Sequence, residues 1–349
     1  MNNREVNGRK VLLKIRTGSH LYGTTTEKSD EDFIGVFMPN PEDLLGINRA
    51  EDFDLSTKKS NNTRRNNKDD VDTTYYSIQK YIRLLLQNNP NILETLFVSE
   101  ENIIFMDASI QELFLNYDKF VSQRVFKSFG GYAYSQKAKM VTKKERYQSL
   151  CIAIDWLEKE FVPHMEKYVG SFCINQSEAD DLNKRIKYYK GEKENCESFH
   201  KGMDLKLIYE KLVAERNRYG WRVKTNSFVK VGYDVKFGYH LFRLLMEGCE
   251  LLNTGMIKFP LHDSILNFIH CIRNCEISYE ELLHTYNIHN EDMELIFKRT
   301  QLPKNPDQKW ANQWLIDLQL QHIYHNVSEI RNITKYYQEK EERITCRNL

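Results

Sequence analysis

Asp30 and Asp32 stand two residues apart in the run SDEDFIGVF. In an extended chain, side chains at i and i+2 leave the same face. Two carboxylates held that close repel each other unless a cation sits between them. Mg²⁺ suits such a pair, because it takes carboxylate oxygens and completes its shell with water and substrate phosphates. Glu31 points to the other face and is left out. Earlier in the chain, Gly18-Ser19 closes a run of apolar and basic residues. Glycine lets backbone approach a phosphate, and a serine hydroxyl with nearby N–H groups binds phosphate oxygens. A phosphate cradle followed by a metal dyad is equipment for moving a nucleotidyl group from a triphosphate. Two-metal chemistry also calls for a third carboxylate near the attacking oxygen. Asp72, which begins VDTTYYS, is the best placed; Asp70, two residues earlier, is the second candidate.

Three short runs rich in β formers carry these residues: KVLLKIRT (10–17), DFIGVFM (32–38) and VDTTYYS (71–77). Between the second and third lies a polar, asparagine-rich stretch over 56–70, expected to be a loop joining two strands. A helix follows, with Ile78, Tyr81, Ile82, Leu85 and Leu86 at helical spacing. Pro90 is expected to end it, and Asn91 to cap a new helix with Glu94 three residues on. Beyond about residue 105 the pattern is mostly helical, so a boundary is expected near residue 100.

A strand, Gly-Ser, Asp-x-Asp, an apolar strand and a third acid on another strand resemble the nucleotidyltransferases of the DNA polymerase beta superfamily. The form G-S-x-x-Y-G followed by S-D-x-D is similar to a predicted nucleotidyltransferase family within it. That family includes the RNA-ligase-associated polymerase-beta-like proteins of bacteria and phages. Three segments carry the resemblance: GSHLYGTTTEKSDEDFIGVF, YYSIQKYIRLLLQNNPNILETLF and GYDVKFGYHLFRLLMEGCELLNTG. It implies an α+β fold, with a small mixed-sheet nucleotidyltransferase core over 1–100 and a larger helical substrate-binding region over 101–349. It implies two Mg²⁺ ions and a nucleoside triphosphate donor such as ATP. Carried over, Gly18 and Ser19 contact the triphosphate, and Asp30 and Asp32 bind both metals. Asp72 matches the acid that binds the first metal and helps activate the acceptor hydroxyl.

Lys236, His240, Arg243, Glu247 and Glu250 form one polar stripe on a helix that Asp234 can cap and Gly255 can end. Two readings stand: Lys236, His240 and Arg243 bind triphosphate or acceptor phosphate, or the stripe is solvated with an Arg243–Glu247 pair. Gly238 inside that helix costs about 1 kcal/mol against alanine, which close approach of a ligand, a backbone or packed side chains would explain. Lys80 and Arg83 read as a solvated helix face.

The net charge of +1 hides an uneven distribution. Residues 25–54 carry nine acids and two bases, residues 124–146 seven bases and one acid, and residues 206–230 seven bases and two acids. Residues 130–148 interleave bases with Tyr132, Tyr134 and Tyr147, and residues 217–230 with Tyr219, Trp221 and Phe228. Bases track a phosphate backbone while aromatic rings stack on unpaired bases. An amphipathic helix with a basic solvent face fits the same pattern. Together with what the RNA-ligase association of the family it resembles implies, RNA, a tRNA or a broken RNA end, is the preferred acceptor and RNA repair the expected setting; a protein hydroxyl or a small molecule is the alternative. His270, Cys271 and Cys275 lack a fourth ligand for zinc, and the two cysteines are expected in the core. No apolar run approaches the ~20 residues of a membrane helix. MNNREVNGRKVLL lacks the apolar stretch of a secretory signal, and seven cysteines at irregular spacing form no disulfide framework. The expected location is the cytoplasm, that of the host if a phage encodes the chain.

Overall fold

A computed structural model describes residues 4–26, 29–47, 49–56, 71–160, 173–186, 199–223 and 226–325. The chain divides into two compact units, one of Met1–Gly130, Met246–Leu266 and Glu291–Leu349, the other of Gly131–Leu245 and Asn267–Asn290. Among the described residues, no helix is long and apolar enough to cross a membrane.

The first unit holds a mixed sheet. β1 (Glu5–Val6) and β2 (Arg9–Thr17) form a hairpin through Asn7 and Gly8, both at positive φ. Asn-Gly is the preferred pair for that tight turn. β2 is central, and Val11, Leu12, Leu13 and Ile15 are buried in it. It pairs antiparallel with β3 (Glu31–Phe37). The intervening residues begin with the short helix α1 (Gly18–Tyr22), and β3 is followed by α2 (Pro41–Leu45).

The next element was not among the expected strands: β4 (Asp52–Ser56) precedes the polar stretch and pairs antiparallel with β5 (Val71–Ser77). The polar stretch therefore joins β4 to β5, not β3 to β5; residues 57–70, Asp70 included, lie outside the described residues. β3 and β5 run parallel in direct register, with Asp32 opposite Asp72. A further strand, β6 (Ile103–Met106), pairs antiparallel with β2, so the sheet continues past residue 100. One face packs Val6, Val11, Phe37 and Tyr75 against Ala50, Phe53 and Phe105.

α3 (Ile78–Leu86) follows β5 directly, with the Ser77 hydroxyl accepting from the Lys80 N–H. Ile78, Tyr81, Ile82 and Leu85 are buried, each worth ~1.5–3 kcal/mol. The expected punctuation shifts. Asn88, at φ +52, ends the helix turn before Pro90 is reached. Pro90 instead opens α4 (Pro90–Leu93), and Asn89, not Asn91, stands at its cap. Proline belongs at a first helical position, where its missing N–H costs nothing. The polar face of α3 is solvent-facing and also paired: Lys80 meets Asp52 at 2.8 Å and the exposed Arg83 meets Glu51 at 2.7 Å.

The second unit is helical among the described residues. Its core joins Leu150, Ile154 and Leu157 of the helix Arg124–Glu160 to Leu182 of Gln176–Arg185 and to Ile208 and Leu212 of Leu205–Val223. Arg146, counted above among the bases of a candidate surface, is buried and forks onto both Glu215 oxygens. The helix Val235–Thr254, whose residues from Met246 on belong to the first unit, starts with Asp234 Oδ1 accepting from the Lys236 N–H and stops at Gly255, at φ +75. Gly238 is explained by packing, since a Cβ there would lie 2.7 Å from Tyr233 Cε2 and 3.0 Å from Leu282 Cδ2. Cys271 and Cys275 are half-buried rather than in the core.

Candidate active site

Two parallel strands in direct register present residues at the same level on the same face. Asp32 near the start of β3 and Asp72 near the start of β5 are such a pair. Asp30 lies one residue before β3 begins, and it turns in to join them. Ligand oxygens of Asp30, Asp32 and Asp72 all lie within 4.8 Å of one another, and each residue is half-buried. They are the group of three or more potential metal ligands found among the described residues; His270, Cys271 and Cys275 form none. Glu31 points away and pairs with Arg16 at 3.1 Å.

β2 brings the other half. Thr17 is opposite Asp32, and its hydroxyl donates to the Asp32 carbonyl at 3.3 Å. Gly18 takes φ +67, a left-handed conformation that glycine adopts freely. A Cβ at Gly18 would lie 2.5 Å from Asp32 Oδ2. The glycine of the Gly-Ser pair therefore lies against a carboxylate of the dyad, a contact that the sequence spacing did not reveal. Ser19 follows, half-buried, within α1. At the end of α1 the Tyr22 hydroxyl donates to Glu94 Oε2 at 2.6 Å in a buried setting. Tyr22 belongs to the G-S-x-x-Y-G motif and Glu94 to an expected helix start, but no periodic pattern links positions so far apart, so their contact is not legible in the sequence.

Three hard oxygen donors converging at half-exposed positions suit a divalent cation whose remaining shell is water or phosphate. Like charges this close disfavour one another without one.

The Lys236–Glu250 stripe is not a solvated face. Arg243 and Glu247 are buried, His240 is partly buried, and Lys236 is exposed. Burial and the charges of Arg243, Lys236 and Arg273 push the His240 imidazole down to about 2, so it is neutral at physiological pH. Of the three stripe residues assigned to phosphate, Lys236 alone is an exposed cation. In the basic–aromatic segments, Tyr132 and Tyr134 are exposed, Phe228 is buried, and Lys137 lies over the Tyr286 ring at 4.2 Å. The side chains of Tyr219 and Trp221 lie outside the described residues.

A family model described as "RNA repair pathway DNA polymerase beta family" matches residues 2–298. An uncharacterized 38.9 kDa protein in the nrdC-mobD intergenic region of Enterobacteria phage T4 is 26% identical over 279 residues, covering 73% of this chain and 80% of the relative. The crystal structure of a nucleotidyltransferase-like protein from Exiguobacterium sibiricum 255-15 aligns with 83% of this chain and 69% of its own, at 9% identity and a TM-score of 0.24, too low to carry an argument.

Proposed function

The chain belongs to the RNA repair pathway DNA polymerase beta family, and on that premise we propose that it moves a nucleoside monophosphate from a nucleoside triphosphate to the hydroxyl of an RNA end, a tRNA end included. It is a polymerase-beta-like nucleotidyltransferase; the metal, the donor and the acceptor are the proposal. One observation carries it: Asp30, Asp32 and Asp72 converge within 4.8 Å, beside Gly18.

In this reading Gly18 and Ser19 receive the triphosphate. Asp30 and Asp32 would hold two Mg²⁺ ions, and Asp72 would help hold the first and orient or deprotonate the acceptor hydroxyl. The hydroxyl oxygen forms a bond to the α-phosphorus as the bond to the departing pyrophosphate breaks. When bound, the ions supply neutralisation of charge on the transferring group. Holding both reactants at bonding distance is the rest of the work. Of the stripe, Lys236 is the residue proposed to bind phosphate; Arg243 and His240, assigned with it from the sequence, offer phosphate no exposed cation. RNA as acceptor rests on the exposed Tyr132 and Tyr134 among lysines, since stacking on an aromatic ring is worth ~1–3 kcal/mol per base.

The test offers the protein each α-labelled nucleoside triphosphate with total RNA, then with total protein. Asp30→Asn, Asp32→Asn and Asp72→Asn should each abolish labelling; variants that label as well as the parent would sink the site assignment. Label in protein or in a small molecule, with RNA binding insensitive to salt, would move the acceptor to a toxin-like one. Salt-sensitive RNA binding without any labelling would mark a retired enzyme.

A further inference from the structure

Tyr22 is the tyrosine of the G-S-x-x-Y-G motif, and the reaction described so far gives it no task. It closes α1, the helix that begins at Gly18. Its ring is 7% exposed, and the carboxylate it donates to, on Glu94, belongs to a residue 2% exposed. A carboxylate buried that deeply is costly unless donors hold it. Glu94 follows α4 directly in NPNILE, a segment that looked like helix punctuation.

α1 is restrained at both ends. At its start Gly18 lies against Asp32. At its end Gly23 turns left-handed at φ +79, and its N–H and that of Thr24 both reach the Ser19 carbonyl. The Leu261 N–H donates to the Tyr22 carbonyl at 3.2 Å, and a Cβ at Gly23 would lie 2.8 Å from Pro260 Cβ. Ser19 sits between these fixed points. The Tyr22–Glu94 bond adds a side-chain tie from α1 to the segment after α4, 72 residues away in sequence. A charged acceptor makes such a bond shorter and stronger than a neutral one.

We infer that Glu94 is a positioning residue: through Tyr22 it fixes α1, so that Gly18 and Ser19 hold the triphosphate in register with Asp30, Asp32 and Asp72. The inference rests on the nucleotidyl-transfer reading above. A purely structural role would make Glu94 a stability residue with no bearing on nucleotide affinity. Tyr81 provides the contrast. It is fully buried, and its hydroxyl bonds Thr95 Oγ1 at 2.6 Å, one residue along from Glu94.

The experiment measures equilibrium binding of each of the four nucleoside triphosphates, labelled, in Mg²⁺ to the full-length chain. Thermal unfolding is followed in parallel for Glu94→Ala, Glu94→Gln, Tyr22→Phe and Tyr81→Phe. Glu94→Ala and Tyr22→Phe should weaken binding by about tenfold, the size that a lost hydrogen bond to a charged group conveys. Glu94→Gln keeps an acceptor oxygen and should recover most of that loss. Tyr81→Phe should lower the unfolding temperature and leave binding unchanged. The inference is overturned if Glu94→Ala binds within about twofold of the parent, or if Tyr81→Phe loses as much affinity as Glu94→Ala. Should Glu94→Ala fail to fold, Tyr22→Phe decides by the same criterion. A parent that binds none of the four would overturn the inference and the nucleotidyl-transfer reading together, whereas a binding parent with an unaffected Glu94→Ala removes the inference alone.

Discussion

Gly18→Ala is the substitution on which the geometry of the site speaks most directly. Two costs arise from one added methyl group. The backbone at φ +67 is left-handed, and an alanine there costs ~1–2 kcal/mol. The new Cβ would also stand 2.5 Å from Asp32 Oδ2, where ordinary contact begins at 3.4 Å. The carboxylate is the softer partner, because Asp32 is fixed in β3 while its side chain can rotate. It must retreat by about 1 Å, and a misplacement of that size at a reacting centre costs on the order of 10²-fold in rate. The assay is incorporation from an α-labelled triphosphate, with urea unfolding on the same preparations. Gly8→Ala supplies the control: Gly8 takes φ +73 in the β1–β2 turn, but a Cβ there meets nothing within 4 Å. Both variants should lose ~1–2 kcal/mol of stability, and Gly18→Ala alone should lose activity. The reasoning is refuted if Gly18→Ala retains more than about half of the parent activity, or if Gly8→Ala loses as much.

Gly238→Ala tests packing against propensity: alanine gains about 1 kcal/mol in a helix interior. Its Cβ would press on Tyr233 at 2.7 Å and Leu282 at 3.0 Å, and overpacking costs ~1–3 kcal/mol, so urea unfolding should show a net loss. A stabilised variant would contradict the packing. His240 gives a pH dependence. Its imidazole binds a proton more weakly folded than unfolded, so the unfolded chain takes up more protons below pH 6.5, and stability falls as pH drops from there toward about 2. Between pH 6.5 and 5 the parent should lose stability faster than His240→Asn, by up to ~1.4 kcal/mol per pH unit; parallel curves would count against the buried, neutral ring. Mg²⁺ at a hundred times its dissociation constant should stabilise the parent by ~2.7 kcal/mol in thermal unfolding, and Asp32→Asn should lose most of that gain. Equal stabilisation of both would place the cation elsewhere.

Local chemistry was legible in the one-dimensional pattern. KVLLKIRT and DFIGVFM showed two strands through their β-forming residues, and Ile78 to Leu86 showed a helix through its spacing, because side-chain direction follows backbone period. Asp30 and Asp32 drew attention for the same reason, as like charges placed together, and Asp72 as an acid opening a strand. β4 went unseen although DFDLS alternates, since its five residues sit beside a long polar stretch. Asn7-Gly8 was an unread hairpin signal. Only the tertiary structure decided which distant residues meet. The register that sets Asp32 opposite Asp72 comes from strand pairing, and the contact of Gly18 with Asp32 comes from the antiparallel pairing of β2 with β3, which sets Thr17 opposite Asp32. Burial made Arg146 an interior residue where composition showed only a basic stretch, and Arg243 one where spacing showed only a polar stripe. Tyr22 stood out as a motif tyrosine and Glu94 as a residue at a helix start, but nothing in the sequence linked them, because a buried hydrogen bond between positions 72 apart is a property of packing, and packing is not periodic along the chain.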